Sequence, residues 1–372
     1  MAGINEGDAI EGIFAIALAE LWAYGEIDKR RLNKVRTEIE PEMFNRQRFE
    51  TIIRDEPKGS KTGFTIGTPS DTFKVKLTVR LKPRSVEGAY GKKYEVLFKK
   101  SKDIGSLDKK IDALIKNAKT FSSRIITARN RFLKNNKSDM VDIHILADGI
   151  EGESSGGAIK GDLMLTVKAN GKKISSLTYP ISLKSGSKTL SNLSPYKGLM
   201  NLLGKFDLEY IREGYYAQAL GPGGSLEKAK TPDQKKKKVE MLTTMYEEFI
   251  YDVADIGGTK DFTKAAFGIF KEAAFGDDLA DVVDIQKGGI HTMSVNYIKG
   301  LEEQALRNKE YLNGTVIGAG SNVKLAIHFG AVGTNQKMHL MTMRKKFRVS
   351  GSGGMELKMY VEAGKMAYDP IH

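Results

Sequence analysis

The amino-acid sequence predicts an α/β protein, and three observations carry this prediction. The chain has 372 residues, of which 40% are hydrophobic and 28% are charged, so it can bury a core beneath a charged surface. Apolar residues recur with a helical period in some segments and alternate as in strands in others. The predicted order is helix, strands, helices, strands, which favours α/β or α+β over a bundle or a sandwich. At roughly 150 residues per domain, two domains or one elaborated domain fit this length.

The first third of the chain predicts one apolar helix followed by basic elements. The predicted elements are a helix at residues 7–24, strands at 63–66 and 72–81, and a basic helix at 107–133. Carboxylates occupy the first turns of the first helix, where the helix dipole favours them. Lys74, Lys76 and Arg80 share one face of the second strand, because side chains alternate along a strand.

The rest of the chain predicts a hairpin, a helical region and a set of closing strands. The predicted strands are 140–146, 162–169, 174–184, 323–329, 338–349 and 355–362, and the predicted helices are 193–206, 208–219, 233–253 and 262–275. Asn170-Gly171 is a strong turn signal between the second and third strands. Pairing mirrored about that turn places Asp162 opposite Tyr179, and a bulge near Pro180 would be needed to bring Asp162 closer to Ser182 or Lys184.

The hairpin contains the candidate catalytic residues. Asp162 opens a largely apolar strand, Lys184 ends the neighbouring one, and Ser182 shares a face with Lys184. Lone charges at such positions are costly unless they have partners. A magnesium ion would provide one, because a carboxylate binds Mg²⁺ while a nearby lysine orients or activates water for attack on a phosphate. An ordinary Asp–Lys surface pair is the alternative explanation.

These residues resemble a known family. Gly161-Asp162 followed by Ser182-Leu183-Lys184 is similar to the active-site hairpin of the PD-(D/E)xK nucleases, and most of all to type II restriction endonucleases whose second motif is S-x-K. The stretch from Lys188 to Asn192 resembles the Thr-Leu-x-Asn segment that follows this lysine in such enzymes. Residues 5–11, 340–344 and 356–364 are similar to the opening and closing segments of the same group.

The resemblance implies a restriction-endonuclease-like fold, with a mixed central sheet flanked by helices and an N-terminal insertion. Residues 1–135 would contribute to DNA binding, and residues 136–372 would form the nuclease core, with a helical insertion at about 205–280. The implied activity is hydrolysis of double-stranded DNA with Mg²⁺, for which Mn²⁺ can substitute. Asp162 would ligate the metal with help from Glu11, and Lys184 would position or activate water. Ser182 stands where most of the superfamily has an acid, and a homodimer is also implied.

The net charge of +13 is consistent with a polyanionic partner. Lysine and arginine side chains would add salt-sensitive affinity for DNA by releasing counterions. The candidate contacts are Lys74, Lys76, Arg80, Lys188, Arg344 and Lys345. For the last two, a charged exposed strand is the alternative explanation.

Several classes of function lack support in the sequence. The absence of cysteine excludes disulfides and cysteine-ligated metal sites. The glycine-rich segments fit neither a P-loop nor a dinucleotide motif, and the histidines lack zinc-site spacing. No apolar run reaches a membrane span, so we expect no membrane association and a cytoplasmic protein of a bacterium or of a virus-infected cell. Two alternatives remain, namely a non-catalytic DNA-binding protein with a nuclease fold and a repair or recombination nuclease that recognises DNA structure.

Overall fold

The computed structural model describes most of the chain from residue 202 onward and a set of strands before it. The described residues are 51–53, 64–66, 73–80, 142–149, 163–170, 175–184, 189–193, 202–211, 231–277, 279–286, 289–318, 322–330, 338–349 and 355–370, together with Phe14, Ala17 and Arg30. The predicted basic helix at 107–133 lies outside these residues, as do most of the predicted helices at 193–206 and 208–219. Phe14 and Ala17 are helical and fully buried, as expected for the predicted first helix.

The described elements are thirteen strands, three long helices and three short helical turns. The strands are β1 (Thr51–Ile53), β2 (Phe64–Ile66), β3 (Phe73–Arg80), β4 (Asp142–Gly149), β5 (Leu163–Asn170), β6 (Ser175–Lys184), β7 (Thr189–Leu193), β8 (Asp281–Gln286), β9 (Gly289–Met293), β10 (Asn313–Ile317), β11 (Lys324–His328), β12 (His339–Val349) and β13 (Met355–Ala363). The helices are α1 (Pro232–Asp255), α2 (Lys260–Phe275) and α3 (Val295–Asn308). The short turns are 202–205, Glu209–Ile211 and the 3-10 turn Lys365–Ala367.

The hairpin belongs to an eight-stranded mixed sheet. Its order is β1-β3-β4-β5-β6-β8-β9, and β2 pairs with β3. The pairs β3–β4 and β6–β8 are parallel, whereas the other pairs are antiparallel. A parallel pair requires a crossover connection, and the chain between β6 and β8 contains β7, α1 and α2. The prediction of a mixed α/β architecture is therefore confirmed.

The closing strands form a second sheet instead of extending the first. This sheet has the order β10-β11-β12-β13-β7 and is antiparallel throughout. The predicted strands 323–329, 338–349 and 355–362 correspond to β11, β12 and β13. The sequence analysis missed β7, which follows the hairpin closely and pairs with β13 through Leu193 and Met359. Strands β1, β8, β9 and β10 and helix α3 were also not predicted.

The register of the hairpin differs from the predicted one. Leu163 pairs with Ile181, and Tyr179 pairs with Leu165. The predicted alignment of Asp162 with Tyr179 is therefore wrong by three residues. The reason is that Asn170 is still part of β5 and pairs with Asp142 on β4, so the connection between the strands lies after it. The β5–β6 ladder continues through Pro180 without a register shift, so no bulge is needed.

One hydrophobic core joins the two sheets. It includes residues of β8 and β9 from the first sheet, residues of β11, β12 and β13 from the second, and the buried faces of the three helices. Helix α2 is central because it contacts α3, β7 and β8. Its side chains Phe267 and Phe270 are fully buried, and full burial of such a side chain contributes about 1.5–3 kcal/mol. Among the described helices, none is long and apolar enough to cross a membrane.

The helix starts follow from local sequence. Thr231 accepts a hydrogen bond from the Gln234 backbone N–H, and the Gln234 side chain accepts one from the Thr231 backbone N–H. This reciprocal capping box, with Pro232 in the first turn, satisfies donors that a helix start leaves unpaired. Thr259 and Ser294 cap α2 and α3 by a single hydrogen bond each, in which the hydroxyl oxygen accepts from the backbone N–H of Phe262 and of Tyr297.

Candidate active site at the end of the hairpin

Lys184 is the last residue of β6 and lies at the edge of a well-buried stretch of strand. Ser182 is 0% exposed, whereas Lys184 is half-buried. Both lie on one face of the sheet, because they are two residues apart. Ile181 and Leu183 occupy the opposite face and are also buried. An ammonium group at such a position needs a polar or charged partner.

The neighbouring strand places an aspartate beside this lysine. In the parallel β6–β8 pair, Lys184 is in register with Asp284 and Ser182 is in register with Val282. Adjacent strands lie about 4.8 Å apart and paired residues share a face, so the Lys184 and Asp284 side chains are cross-strand neighbours. Asp284 is only 1% exposed. On its other side it pairs with His291 of β9.

The C-terminal segment of the described chain contributes a tyrosine to the same cluster. The Tyr368 hydroxyl donates a hydrogen bond of 3.0 Å to Asp284 Oδ2. The Tyr368 ring meets the His291 ring edge-on, with 5.6 Å between the ring centroids. The cluster that we call the Lys184 cluster therefore consists of Ser182, Lys184, Asp284, His291 and Tyr368.

Tyr368 is held in place by its neighbour in the chain. The carboxylate of Asp369 accepts hydrogen bonds from Thr292 Oγ1 at 2.9 Å and from Ser294 Oγ at 3.2 Å. The backbone N–H of Asp369 donates to the Thr292 carbonyl oxygen at 2.7 Å. Three hydrogen bonds thus fix this part of the chain against β9 and the start of α3, which orients the adjacent Tyr368.

The other aspartate of β8, Asp281, makes a structural contact. Asp281 is three residues from Asp284 and therefore lies on the opposite face of the strand. Its Oδ1 atom accepts a hydrogen bond of 3.2 Å from the Val295 backbone N–H at the start of α3. Asp281 thus satisfies a helix terminus, whereas Asp284 faces Lys184.

The predicted metal ligands Asp162 and Glu11 lie outside the described residues, as does Lys188. Asp162 directly precedes Leu163, whose partner Ile181 directly precedes Ser182. The amino end of β5 therefore lies at the same edge of the sheet as the carboxyl ends of β4, β6 and β8. In open α/β sheets, ligands bind at this edge. Within the described part of the chain, no group of three or more acidic or histidine side chains is arranged to hold a metal ion.

The three basic residues of β3 are distributed along the sheet. Lys74 pairs with Asp142, Lys76 with His144 and Arg80 with Asp148 of the parallel strand β4. Arg80 is therefore nearest to the edge at which β6 ends, and Lys74 is nearest to the opposite edge.

The two predicted DNA contacts on β12 have intramolecular partners. Arg344 forms an ion pair with Glu362, and its guanidinium lies 4.7 Å from the centre of the Tyr360 ring. The Lys345 side chain is 5% exposed, with its ammonium 4.0 Å from a Glu247 carboxylate oxygen and 5.3 Å from the centre of the Tyr246 ring. Burial lowers the pKa of Lys345, and the charge of Glu247 partly opposes this.

A histidine pair lies in the second sheet. His328 is 2% exposed, and its Nε2 atom is 2.9 Å from Thr315 Oγ1. The His339 ring lies 5.5 Å from the His328 ring, centre to centre. Burial, followed by the charge of His328, lowers the pKa of His339. The buried His328 ring is thus hydrogen-bonded within the second sheet.

Sequence reasoning missed Asp284, His291 and Tyr368. The run Asp281-Val-Val-Asp284 has the apolar centre of a buried strand, which was the available signal for Asp284. Nothing local in the sequence indicates that Tyr368 would reach it.

Comparisons with protein-family models, with curated proteins and with solved structures find no match to this chain.

Proposed function

We propose that this protein is a Mg²⁺-dependent endonuclease that hydrolyses double-stranded DNA in the manner of a type II restriction enzyme. The observation that carries the proposal is the position of Lys184. It follows the buried residues 181–183 of β6 at the sheet edge where β5 begins, and Asp162 is the residue directly before β5. The register favours the proposal, since it aligns the start of β5 with the end of β6 more closely than the turn signal indicated.

The proposed chemistry divides between these two residues. The Asp162 carboxylate ligates Mg²⁺, assisted by Glu11, and the Lys184 ammonium positions the attacking water and offsets charge that develops on the phosphate. Ser182 takes the place of the usual second acid. Because its hydroxyl carries no negative charge, it contributes a hydrogen bond instead of a strong metal ligand.

DNA binding is proposed to depend on the basic residues outside the Lys184 cluster. Lys74, Lys76, Arg80 and Lys188 are the main candidates for phosphate contacts, and the net charge of +13 supports a polyanionic partner. Arg344 and Lys345 contribute less in this proposal, because both have intramolecular partners. A homodimer that cuts both strands, acting in the cytoplasm of a bacterium or of a virus-infected cell, completes the proposal.

Plasmid cleavage tests the proposed activity. We expect purified protein to nick or linearise supercoiled plasmid with Mg²⁺ or Mn²⁺ and to be inactive with EDTA. Asp162→Ala and Lys184→Ala should each lower the rate by at least about 100-fold, because both act directly on the reacting groups. Lys205→Ala is the matched control, since Lys205 is a partly exposed lysine in an ion pair with Glu272, and it should retain full activity. Equal cleavage by all variants would identify a contaminating nuclease.

A non-catalytic DNA-binding protein is the second candidate, and Ser182 favours it. The residue is fully buried and supplies no carboxylate where most of the superfamily has one. This candidate predicts duplex binding that weakens with salt, no cleavage with any divalent cation, and little effect of Asp162→Asn on binding. Gel-shift titrations at several salt concentrations, run beside the cleavage assay, distinguish the two candidates.

A further inference from the structure

We propose that Asp284 and Tyr368 position Lys184, so that a hydrogen-bonded relay runs from the C-terminal segment through β8 to the amine at the end of β6. The inference deepens the proposed function and rests on it for its consequence in catalysis. Asp284 and Tyr368 are positioning residues, since they act through Lys184 and not on the substrate.

The register and burial of Asp284 are the first argument. The residue is 1% exposed and is the direct cross-strand neighbour of Lys184. An ionised carboxylate buried this deeply costs several kcal/mol unless opposite charge and hydrogen bonds compensate for the lost water. A lysine whose strand position is fixed about 4.8 Å away provides that compensation. The same attraction restricts the long, flexible lysine side chain to a small set of orientations.

The Tyr368 contact is the second argument. Its hydroxyl donates to Asp284 Oδ2 at 3.0 Å, and Asp369 anchors the segment that carries it to β9 and to the start of α3. One carboxylate oxygen is thereby engaged from the C-terminal side. An acid held by a third group is the usual means of orienting a catalytic amine or imidazole.

The position of Asp284 also argues against a direct role as a replacement for the acid missing at Ser182. The residue beside Ser182 on β8 is Val282, and Asp284 lies two residues further along β8, beside Lys184. The carboxylate therefore lies next to the amine and not next to the position where the second metal ligand would be expected. Positioning of Lys184 is the role that this geometry supports.

Amine-labelling kinetics test the proposal without relying on DNA cleavage. The intact protein is treated with trace acetic anhydride, and acetylation of each lysine is measured by mass spectrometry, with the other lysines as internal standards. Asp284→Asn should raise the labelling rate of Lys184 several-fold, because the amine loses the attraction that holds it against β8 and becomes freer to reach the reagent. Tyr368→Phe should raise it by about twofold, because the Asp284 carboxylate keeps its charge but loses the hydrogen bond that orients it. Asp281→Asn is the matched control, and it should leave the rate unchanged because asparagine still accepts from Val295.

Cleavage kinetics of the same variants provide the second measurement. Asp284→Asn should lower kcat by at least about tenfold with little change in KM for DNA. Asp281→Asn should leave both kcat and KM unchanged. Unchanged Lys184 labelling in a folded Asp284→Asn protein would overturn the proposal. If that variant does not fold, unchanged labelling in Tyr368→Phe overturns it instead. If labelling changes as expected but the wild-type protein cuts no DNA, the relay stands and the nuclease proposal fails.

Discussion

At the residue scale, Lys345 illustrates how burial changes the interpretation of a basic sequence. The sequence Arg344-Lys345-Lys346 is typical of a charged strand that could contact phosphates. In the structure the Lys345 stem is covered, and its ammonium lies near both the Tyr246 ring and the Glu247 carboxylate. Long lysine side chains often bury their methylene groups in this way. A cation with these partners would have to lose them in order to bind DNA.

Lys345→Met is therefore expected to change DNA binding little. The slope of log affinity against log salt should stay the same, whereas Arg80→Ala should reduce its magnitude by about one. The free energy of unfolding should change by about 1 kcal/mol or less, because methionine preserves the packing of the stem. Fluorescence anisotropy at five salt concentrations measures the slopes, and urea titration measures the stability. If the magnitude of the slope falls by about one in Lys345→Met, Lys345 does contact DNA and the expectation is wrong.

Lys184 shows the limit of sequence reasoning for a single site. The motif predicted a functional lysine at the end of a buried strand, and in the structure the three residues before Lys184 are buried. Its neighbour Asp284 is 100 residues away in the chain, and the parallel pairing that joins them leaves no local pattern. The pairing of β6 with β5 could be predicted from the sequence, because the two strands are close in the chain.

At the element scale, the end of α1 packs against β10 through two glycines. A Cβ atom on Gly314 would lie 2.9 Å from the Ala254 Cα, and one on Gly257 would lie 2.8 Å from the Gly314 backbone nitrogen. Both distances are shorter than non-bonded carbon and nitrogen atoms tolerate. The two glycines therefore let a helix end and a strand approach with their backbones almost in contact.

Gly314→Ala should destabilise the protein by about 1–3 kcal/mol, because the added methyl group would force backbone atoms apart. Gly300→Ala on α3 is the matched control, since a Cβ atom there meets nothing within 4 Å. Alanine in an exposed helix should be neutral or stabilise by up to about 1 kcal/mol. Chemical denaturation of the three proteins measures the difference. A Gly314→Ala protein as stable as the wild type would contradict this packing.

The predicted elements differ in how well local sequence could define them. Helices α1 and α2 and strands β11 to β13 were predicted within a few residues, because their apolar patterns are long and regular. Strand β10 is half-buried along its whole length, so it lacks the alternation that indicates a strand. The β5–β6 register was predicted incorrectly because Asn170-Gly171 looks like a complete turn, whereas Asn170 still pairs within β5.

At the scale of the whole molecule, two sheets share one core. Helix α2 contacts β7 of the antiparallel sheet and β8 of the mixed sheet, and the C-terminal segment that follows β13 returns to β9 of the mixed sheet. The Lys184 cluster is built at this junction, because Tyr368 follows the second sheet and Asp284 belongs to the first. The geometry of the Lys184 cluster thus depends on the placement of β13 and of the segment that follows it.

The central claim is that the acid before β5 and the amine at the end of β6 face a common divalent cation where a phosphate can bind. Anomalous diffraction from crystals grown with Mn²⁺ and a DNA duplex tests it directly. We expect one Mn²⁺ with an Asp162 carboxylate oxygen about 2.2 Å away and the Lys184 ammonium directed at the adjacent phosphate. Asp162 and Lys184 on opposite faces of the sheet, or a cation bound far from both, would contradict the claim.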